Sequence, residues 1–353
     1  MPTDPAADDL RVVLREHGLL ADADIASVTR IQQRSACALV TLDDGRVLFV
    51  KQARRDAAGT WTADVPGEGD RMRRLSAVPS VRPLMPALLA VDRERRLLVV
   101  EGLAPAVPLD EARRARGGSD PARAAALGRA LAALHDGGRA VTADLPVVDH
   151  VGPALRSWSR PTPRSVTLYP PGYREIVVRI HRGDLLDDLG AVAEGWRQDT
   201  VIHGDVKSDN VLCDAPSPVR LIDWECAGRG DARWDVGSAV GDYLVTWLRT
   251  MRVSASSGLA GWIDTAQPPL PHLRAELTAL LDAYRDARTG PDGGGSADEE
   301  MAAWMRYAGM FLLHRLTMTA MQAVEVSSHS LALLQLSRQL VRSPQTALEV
   351  LLP

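Results

Sequence analysis

The chain has 353 residues, 46% apolar and 24% charged, with a formal net charge of −4, which is enough for one two-lobed enzyme or two domains. The weakly acidic balance argues against a protein that grips nucleic acid by its phosphates, and 4% aromatic residues argues against long stacking platforms. No run of about 18 uncharged apolar residues offers a membrane span, the acidic start MPTDPAADD is unlike a secretory signal, and Cys37, Cys213 and Cys226 cannot all pair. The expectation is a reducing, cytoplasmic protein with no nucleic-acid or membrane partner.

In chain order, the first hundred residues read as a small α+β unit. Ala36 to Leu42 and Val47 to Val50 are β-prone runs, and Asp43-Asp44-Gly45 between them is a hairpin signal. A helix is predicted over Glu68 to Val78, where Met72 and Leu75 keep helical spacing from Glu68. Arg82 to Leu89, with two prolines, reads as a connection. Leu97 to Val100 reads as a buried strand, and Glu101-Gly102-Leu103-Ala104-Pro105 breaks the pattern. The boundary is placed there, giving a lobe of residues 1–103 and a second of 104–353.

The second lobe is mostly helical. Asp120-Pro121 opens a helix that Asp136-Gly137-Gly138 is expected to end. Val151 to Tyr173 carries little pattern, whereas Ile176 to Trp196 reads as helical. Short strands are predicted at Thr200 to Ile202 and Val219 to Ile222. The last hundred residues are helical again, broken by the flexible GPDGGGS at Gly290 to Ser296. The late tryptophans Trp247, Trp262 and Trp304 read as core or as the lining of a cleft, and His314, in an apolar helix, as a buried core histidine.

Between the two short strands stands His203-Gly204-Asp205-Val206-Lys207-Ser208-Asp209-Asn210, and thirteen residues beyond Asn210 comes a second acid, Asp223, in Ile222-Asp223-Trp224-Glu225. An acid followed by an amide and then a second acid after an apolar strand suits phosphoryl transfer from ATP. That reaction needs one carboxylate to orient and deprotonate the attacking hydroxyl, and hard oxygen ligands for Mg²⁺. A carboxylate clamped to the metal is a poor base, so the roles divide: Asp205 as base, Asn210 and Asp223 as metal ligands. Taken singly, Asp205 also reads as a helix N-cap and Asn210 as a turn residue.

These segments resemble the catalytic and metal-binding loops of the aminoglycoside phosphotransferase family, a branch of the protein-kinase-like superfamily. The resemblance extends to Gly230-Asp231-Ala232-Arg233-Trp234-Asp235 downstream and to Leu131-Ala132-Ala133-Leu134-His135 upstream. Four such motifs in order carry more weight than any one. The resemblance implies a two-lobed α+β fold, with an antiparallel sheet in the small N-terminal lobe and a larger helical C-terminal lobe. It implies that the first lobe clamps ATP, with Lys51 as the strand lysine and Glu68 its helix partner. Read without it, Lys51 is a solvated strand end and Glu68 an acid favoured at a helix start. Backbone groups from Glu101 to Leu103 become the adenine hinge. Asp235 is expected to tie the catalytic loop, His203 to brace it, and Glu225 to take a secondary role near the metal.

Two features depart from the family pattern. The turn Gln32-Gln33-Arg34-Ser35-Ala36-Cys37 holds no glycine, so Arg34 or Ser35 would touch phosphate directly, or the turn is simply exposed. Lys207, two residues past the expected base, is either aimed at the transferred phosphate or a solvated loop lysine. The function expected is ATP- and Mg²⁺-dependent phosphorylation of a hydroxyl on a small molecule or peptide. Alternatives are a kinase for Ser or Thr of a natural-product precursor peptide, working ahead of a partner lyase that eliminates phosphate, and a pseudokinase that only binds or scaffolds.

Overall fold

A computed structural model describes residues 7–20, 23–32, 35–56, 59–162, 167–213, 219–252, 259–289 and 296–352. The predicted flexible residues 290–295 and two residues of the glycine-free turn, Gln33 and Arg34, lie outside that set.

The N-terminal part is a five-stranded antiparallel sheet in the order β1-β2-β3-β5-β4. Its strands are β1 (Ile25–Gln32), β2 (Ala36–Leu42), β3 (Val47–Gln52), β4 (Leu88–Asp92) and β5 (Leu97–Glu101). Alternation along each strand sorts side chains onto two faces. Val40, Leu42, Leu48, Val50, Leu97 and Val99 pack under helix α1 (Ala7–Glu16), on Leu10, Val13 and Leu14. The opposite face receives α2 (Val65–Leu75), whose Val65, Met72 and Leu75 join Leu98 and Val100. Lys51 falls in the odd-numbered set of β3, so the pleat aims it at α2. The hairpin signal holds: Gly45 takes φ +86° and donates to the Leu42 carbonyl at 3.1 Å.

Two local readings are corrected. The α2 helix begins at Val65 rather than Glu68, because Asp64 caps it by accepting the Gly67 N–H and Pro66 sits in its first turn. The supposed connection of residues 82–89 ends in a strand, β4, drawn in by pairing with β5. The helix that opens at Pro121 ends at Gly138, as the Asp136-Gly137-Gly138 signal predicts. These glycines serve close packing: a Cβ on Gly138 would lie 2.6 Å from the Val201 Cβ.

The chain passes to the helical part through Gly102–Ala106, after which β6 (Val107–Pro108) pairs with β8 (Val211–Cys213). Helices α3 (Leu109–Ala115), α4 (Pro121–Gly138), α5 (Gly152–Ser159), α6 (Pro171–Ile180), α7 (Leu185–Glu194), α8 (Ala232–Leu248), α9 (Leu259–Ile263), α10 (Leu270–Ala287), α11 (Ala297–Ala320), α12 (Ser328–Arg342) and α13 (Pro344–Leu351) follow. Thus the supposedly patternless residues 151–173 contain α5 and the start of α6. Glycines let central helices approach: a Cβ on Gly128 of α4 would come within 2.2 Å of the Leu280 carbonyl oxygen on α10. No helix among the described residues is long and apolar enough to cross a membrane.

Two small sheets frame the informative segment. Strand β7 (Thr200–Ile202) pairs with β10 (Gly228–Gly230), and β8 with β9 (Val219–Leu221). The loop 203–210 therefore springs from β7 and returns through β8, while the loop 222–227 joins β9 to β10. One hydrogen bond, from the Ile222 N–H to the Asn210 carbonyl at 3.0 Å, holds the two loops side by side.

Candidate active site

Four groups from three separate segments meet at the lobe junction. The Lys51 ammonium lies 2.8 Å from Glu68 Oε2, 2.5 Å from Asp223 Oδ1 and 3.0 Å from Glu225 Oε2. Burial by itself would lower the lysine pKa, but the three carboxylates outweigh it and hold the ammonium firmly charged. One cation does not neutralise three acids. Glu68, the most buried, takes the consequence: burial first, then the neighbouring carboxylates, push its pKa up to about 7 against the pull of Lys51. The other Glu68 oxygen accepts the buried Trp224 N–H at 3.1 Å, so α2 is fastened to the loop bearing Asp223.

This arrangement predicts the behaviour of Lys51→Met. Three acids whose oxygens lie within 4.8 Å of one another would lose the ammonium that joins them, and breaking such a pair costs about 3–5 kcal/mol. A buried acid with a raised folded-state pKa is tolerated when protonated and costs stability as pH climbs from its unfolded value through the folded one. The melting temperature of Lys51→Met should therefore fall more steeply than that of the wild type between about pH 5 and 8. Adding Glu68→Gln should flatten the curve. Parallel melting curves for wild type and Lys51→Met would contradict the geometry.

Asp205 stands at the head of the neighbouring loop. Its Oδ2 accepts from Lys207 Nζ at 2.5 Å and from Asn210 Nδ2 at 2.8 Å. Asn210 Nδ2 also reaches the Asp205 carbonyl at 2.9 Å, so the amide oxygen is what Asn210 has to offer a cation. Gly204, at φ +82°, turns the chain where a Cβ would lie 2.5 Å from both the Cys226 carbonyl oxygen and His150 Nε2; only glycine fits there.

Behind the loop is a buried scaffold. Asp235 Oδ2 accepts the His203 N–H at 2.7 Å and its Oδ1 the Gly204 N–H at 2.9 Å. His135 Nε2 lies 3.2 Å from Asp235. Burial opposes this carboxylate's charge, but His135 and the backbone donors hold its pKa below the ordinary value. Arg288 donates to the Tyr284 hydroxyl at 2.6 Å, freeing the hydroxyl proton for His135 Nδ1 at 2.9 Å; the other ring nitrogen then donates to Asp235. His203 Nε2 donates to the Ile222 carbonyl at 3.0 Å while its Nδ1 accepts the Asp205 N–H at 3.3 Å, linking both loops. At the far end, the buried Asp242 accepts the Ser208 N–H at 2.8 Å and the Ser208 hydroxyl.

The remaining predicted positions fall elsewhere. Glu101 ends β5, with its N–H on the Ala87 carbonyl and its carboxylate on the Ala87 N–H; Leu103 lies just beyond, its carbonyl accepting from Ala106. Ser35 is buried just before β2, and no bond among the described residues joins its side chain to the other site groups. Trp247 and Trp304 are core residues and Trp262 is half-buried. His314 is exposed, not buried as its apolar surroundings in sequence suggested. Asp242, His150 and Tyr284 escaped the sequence reading. Each is an isolated polar residue in a helical or loop stretch, with no motif to mark it.

The oxygen-only set of Glu68, Asp223 and Glu225, together with the Asn210 amide oxygen, has the chemistry a hard divalent cation requires. Comparison with curated proteins gives no match. Among solved structures, the chain is similar to a choline/ethanolamine kinase family protein from Mesorhizobium loti, at 16% identity and a TM-score of 0.56, covering 95% of this chain and 96% of that one. It is similar to a thermostable mutant of an aminoglycoside phosphotransferase in its apo form, at 16% identity and a TM-score of 0.55, covering 94% and 98%. It is also similar to a spectinomycin phosphotransferase solved with ADP and spectinomycin, at 12% identity and a TM-score of 0.53, covering 98% and 99%. The fold is therefore protein-kinase-like. A family model described as the phosphotransferase enzyme family matches residues 33–292, a span holding every group described above from Lys51 to Tyr284, and the chain belongs to that family of enzymes acting on hydroxyl-bearing substrates.

Proposed function

We propose that the enzyme transfers the γ-phosphoryl group of ATP to an alcohol, with Asp205 as the base. The observation that carries this reading is the convergence of Lys51, Glu68, Asp223 and Glu225 beside a second cluster of Asp205, Lys207 and Asn210. The acceptor oxygen forms a bond to the γ-phosphorus as the bridging bond to ADP breaks, and the hydroxyl proton passes to the Asp205 carboxylate. Lys207, already beside that carboxylate, lies where an ammonium steadies charge on the phosphoryl oxygens. Lys51, held by Glu68, meets the α- and β-phosphates. Asn210 and Asp223, with Glu225 at the edge, would hold Mg²⁺, which when bound neutralises charge on the β- and γ-phosphates. An adenine ring at the hinge would be met by the Glu101 carbonyl and the Leu103 N–H, because the neighbouring backbone groups are already paired. Ser35, near the phosphate end of the sheet, is a candidate contact.

The completeness of the set argues against a pseudokinase, and Lys207 serves a small-molecule hydroxyl as well as a peptide one. The test is a thermal shift with ATP, with and without Mg²⁺, alongside ADP release. A ligand that binds only the folded state raises the melting temperature, and the larger rise is expected with the metal present. No shift, together with no ADP release, would reject the reading.

A further inference from the structure

A chain of hydrogen bonds runs from the end of α10 to the turn that carries Asp205, and Tyr284 is its central link. Helices α4 and α10 touch so closely that a Cβ on Gly128 would lie 3.0 Å from the Tyr284 nitrogen. Two turns further along α4, His135 Nδ1 meets the Tyr284 hydroxyl at 2.9 Å. Arg288, just past α10, donates to the same hydroxyl at 2.6 Å and is itself held by Asp136 at 2.8 Å. Asp136 also accepts the Thr289 N–H at 2.6 Å and the Thr289 hydroxyl at 3.0 Å, which pins the guanidinium from behind.

A guanidinium has donors and no lone pair. The Tyr284 oxygen therefore accepts from Arg288, and its own proton goes to His135. Burial, the largest influence, holds the Tyr284 pKa above its ordinary value, so that proton stays in place. A neutral imidazole carries one N–H. With Nδ1 accepting, the N–H is on Nε2, 3.2 Å from Asp235 Oδ2. The opposite tautomer would turn a lone pair on that carboxylate and set an N–H against the tyrosine O–H. The His135 ring is fully buried, so solvent offers neither nitrogen another partner. Asp235, so fixed, takes the His203 N–H on one oxygen and on the other the Gly204 N–H, one residue before the base.

Resting on the phosphotransferase reading above, we propose that Tyr284 is a positioning residue for Asp205. Its hydroxyl, steered by Arg288, selects the His135 tautomer that bonds Asp235, and through Asp235 sets the Gly204 turn. The test uses the full chain with ¹⁵N-labelled histidine, His135 being assigned through its contact with the Tyr284 ring. The wild type should show Nε2 protonated and Nδ1 bare. Tyr284→Phe keeps the ring and its edge contact with Trp304. It should bring in the Nδ1-protonated form, speed hydrogen exchange of the Gly204 amide relative to the rest of the core, and lower turnover about tenfold, the loss of one hydrogen bond. The KM for ATP should not move. Turnover is ADP release from Mg²⁺-ATP with whichever of N-acetylserine amide, glycerol and kanamycin serves the wild type best. Arg288→Met, at the half-buried end of the chain, frees the Tyr284 oxygen to accept from His135 and should shift the same signals the same way. A lower melting temperature with wild-type tautomer and turnover retained would reduce the hydroxyl to a packing group and overturn the proposal. So would a wild type whose proton sits on Nδ1. Absence of ADP release from the wild type with all three acceptors would instead reject the phosphotransferase reading, and the nitrogen signals would still decide the role of Tyr284.

Discussion

Asp205→Asn is expected to lower acceptor-dependent turnover by about 10²–10⁴-fold, the usual contribution of a positioned base, with little change in melting temperature. Asparagine keeps the shape and one oxygen, so Lys207 and Asn210 retain an acceptor. What disappears is the capacity to take the hydroxyl proton. Asp205 is only partly buried, and its two partners reach it from the same loop, so the fold does not depend on its charge. ATP affinity, measured by the thermal shift, should stay within a few-fold of wild type because the proposed nucleotide contacts, Lys51 and the metal ligands, are left in place. Turnover within a few-fold of wild type would remove Asp205 from the chemistry.

The second large effect is on stability. Asp235→Ala removes a fully buried carboxylate that accepts two backbone N–H groups and faces His135. The His203 and Gly204 amides would be left in the interior without partners, each costing about 1–3 kcal/mol. A total loss of about 3–5 kcal/mol is expected, read as a lower midpoint in urea. Activity should fall even at temperatures where the variant is folded, because those two amides fix the residue just before Asp205. Asp235→Asn keeps one acceptor and should lose less in both measurements. A stable, active Asp235→Ala would mean that the Gly204 turn holds without it.

The residues that cluster at the site were more legible in the sequence than the frame around them. Asp205 and Asn210 lie within one loop, and Asp223 follows one short hairpin later, so linear spacing nearly reproduces spatial order. Lys51 was legible because strand alternation and a following helix leave few partners for it. The β1 strand left no clear mark, since it is an edge strand whose described residues are mostly half-buried or exposed. β4 was hidden by the prolines before it and identified only by its pairing with β5. His314 misled because an apolar helix can still turn one residue to solvent, and only the packing of that helix decides which.

The bond between Glu68 and the Trp224 amide bears on inhibition. Compounds that gain room behind a nucleotide pocket by swinging the neighbouring helix outward would here strip a buried amide of its acceptor. That penalty of about 1–3 kcal/mol amounts to roughly five- to 150-fold in affinity. Ligands shaped for the closed arrangement of α2 should consequently outperform those that demand its displacement.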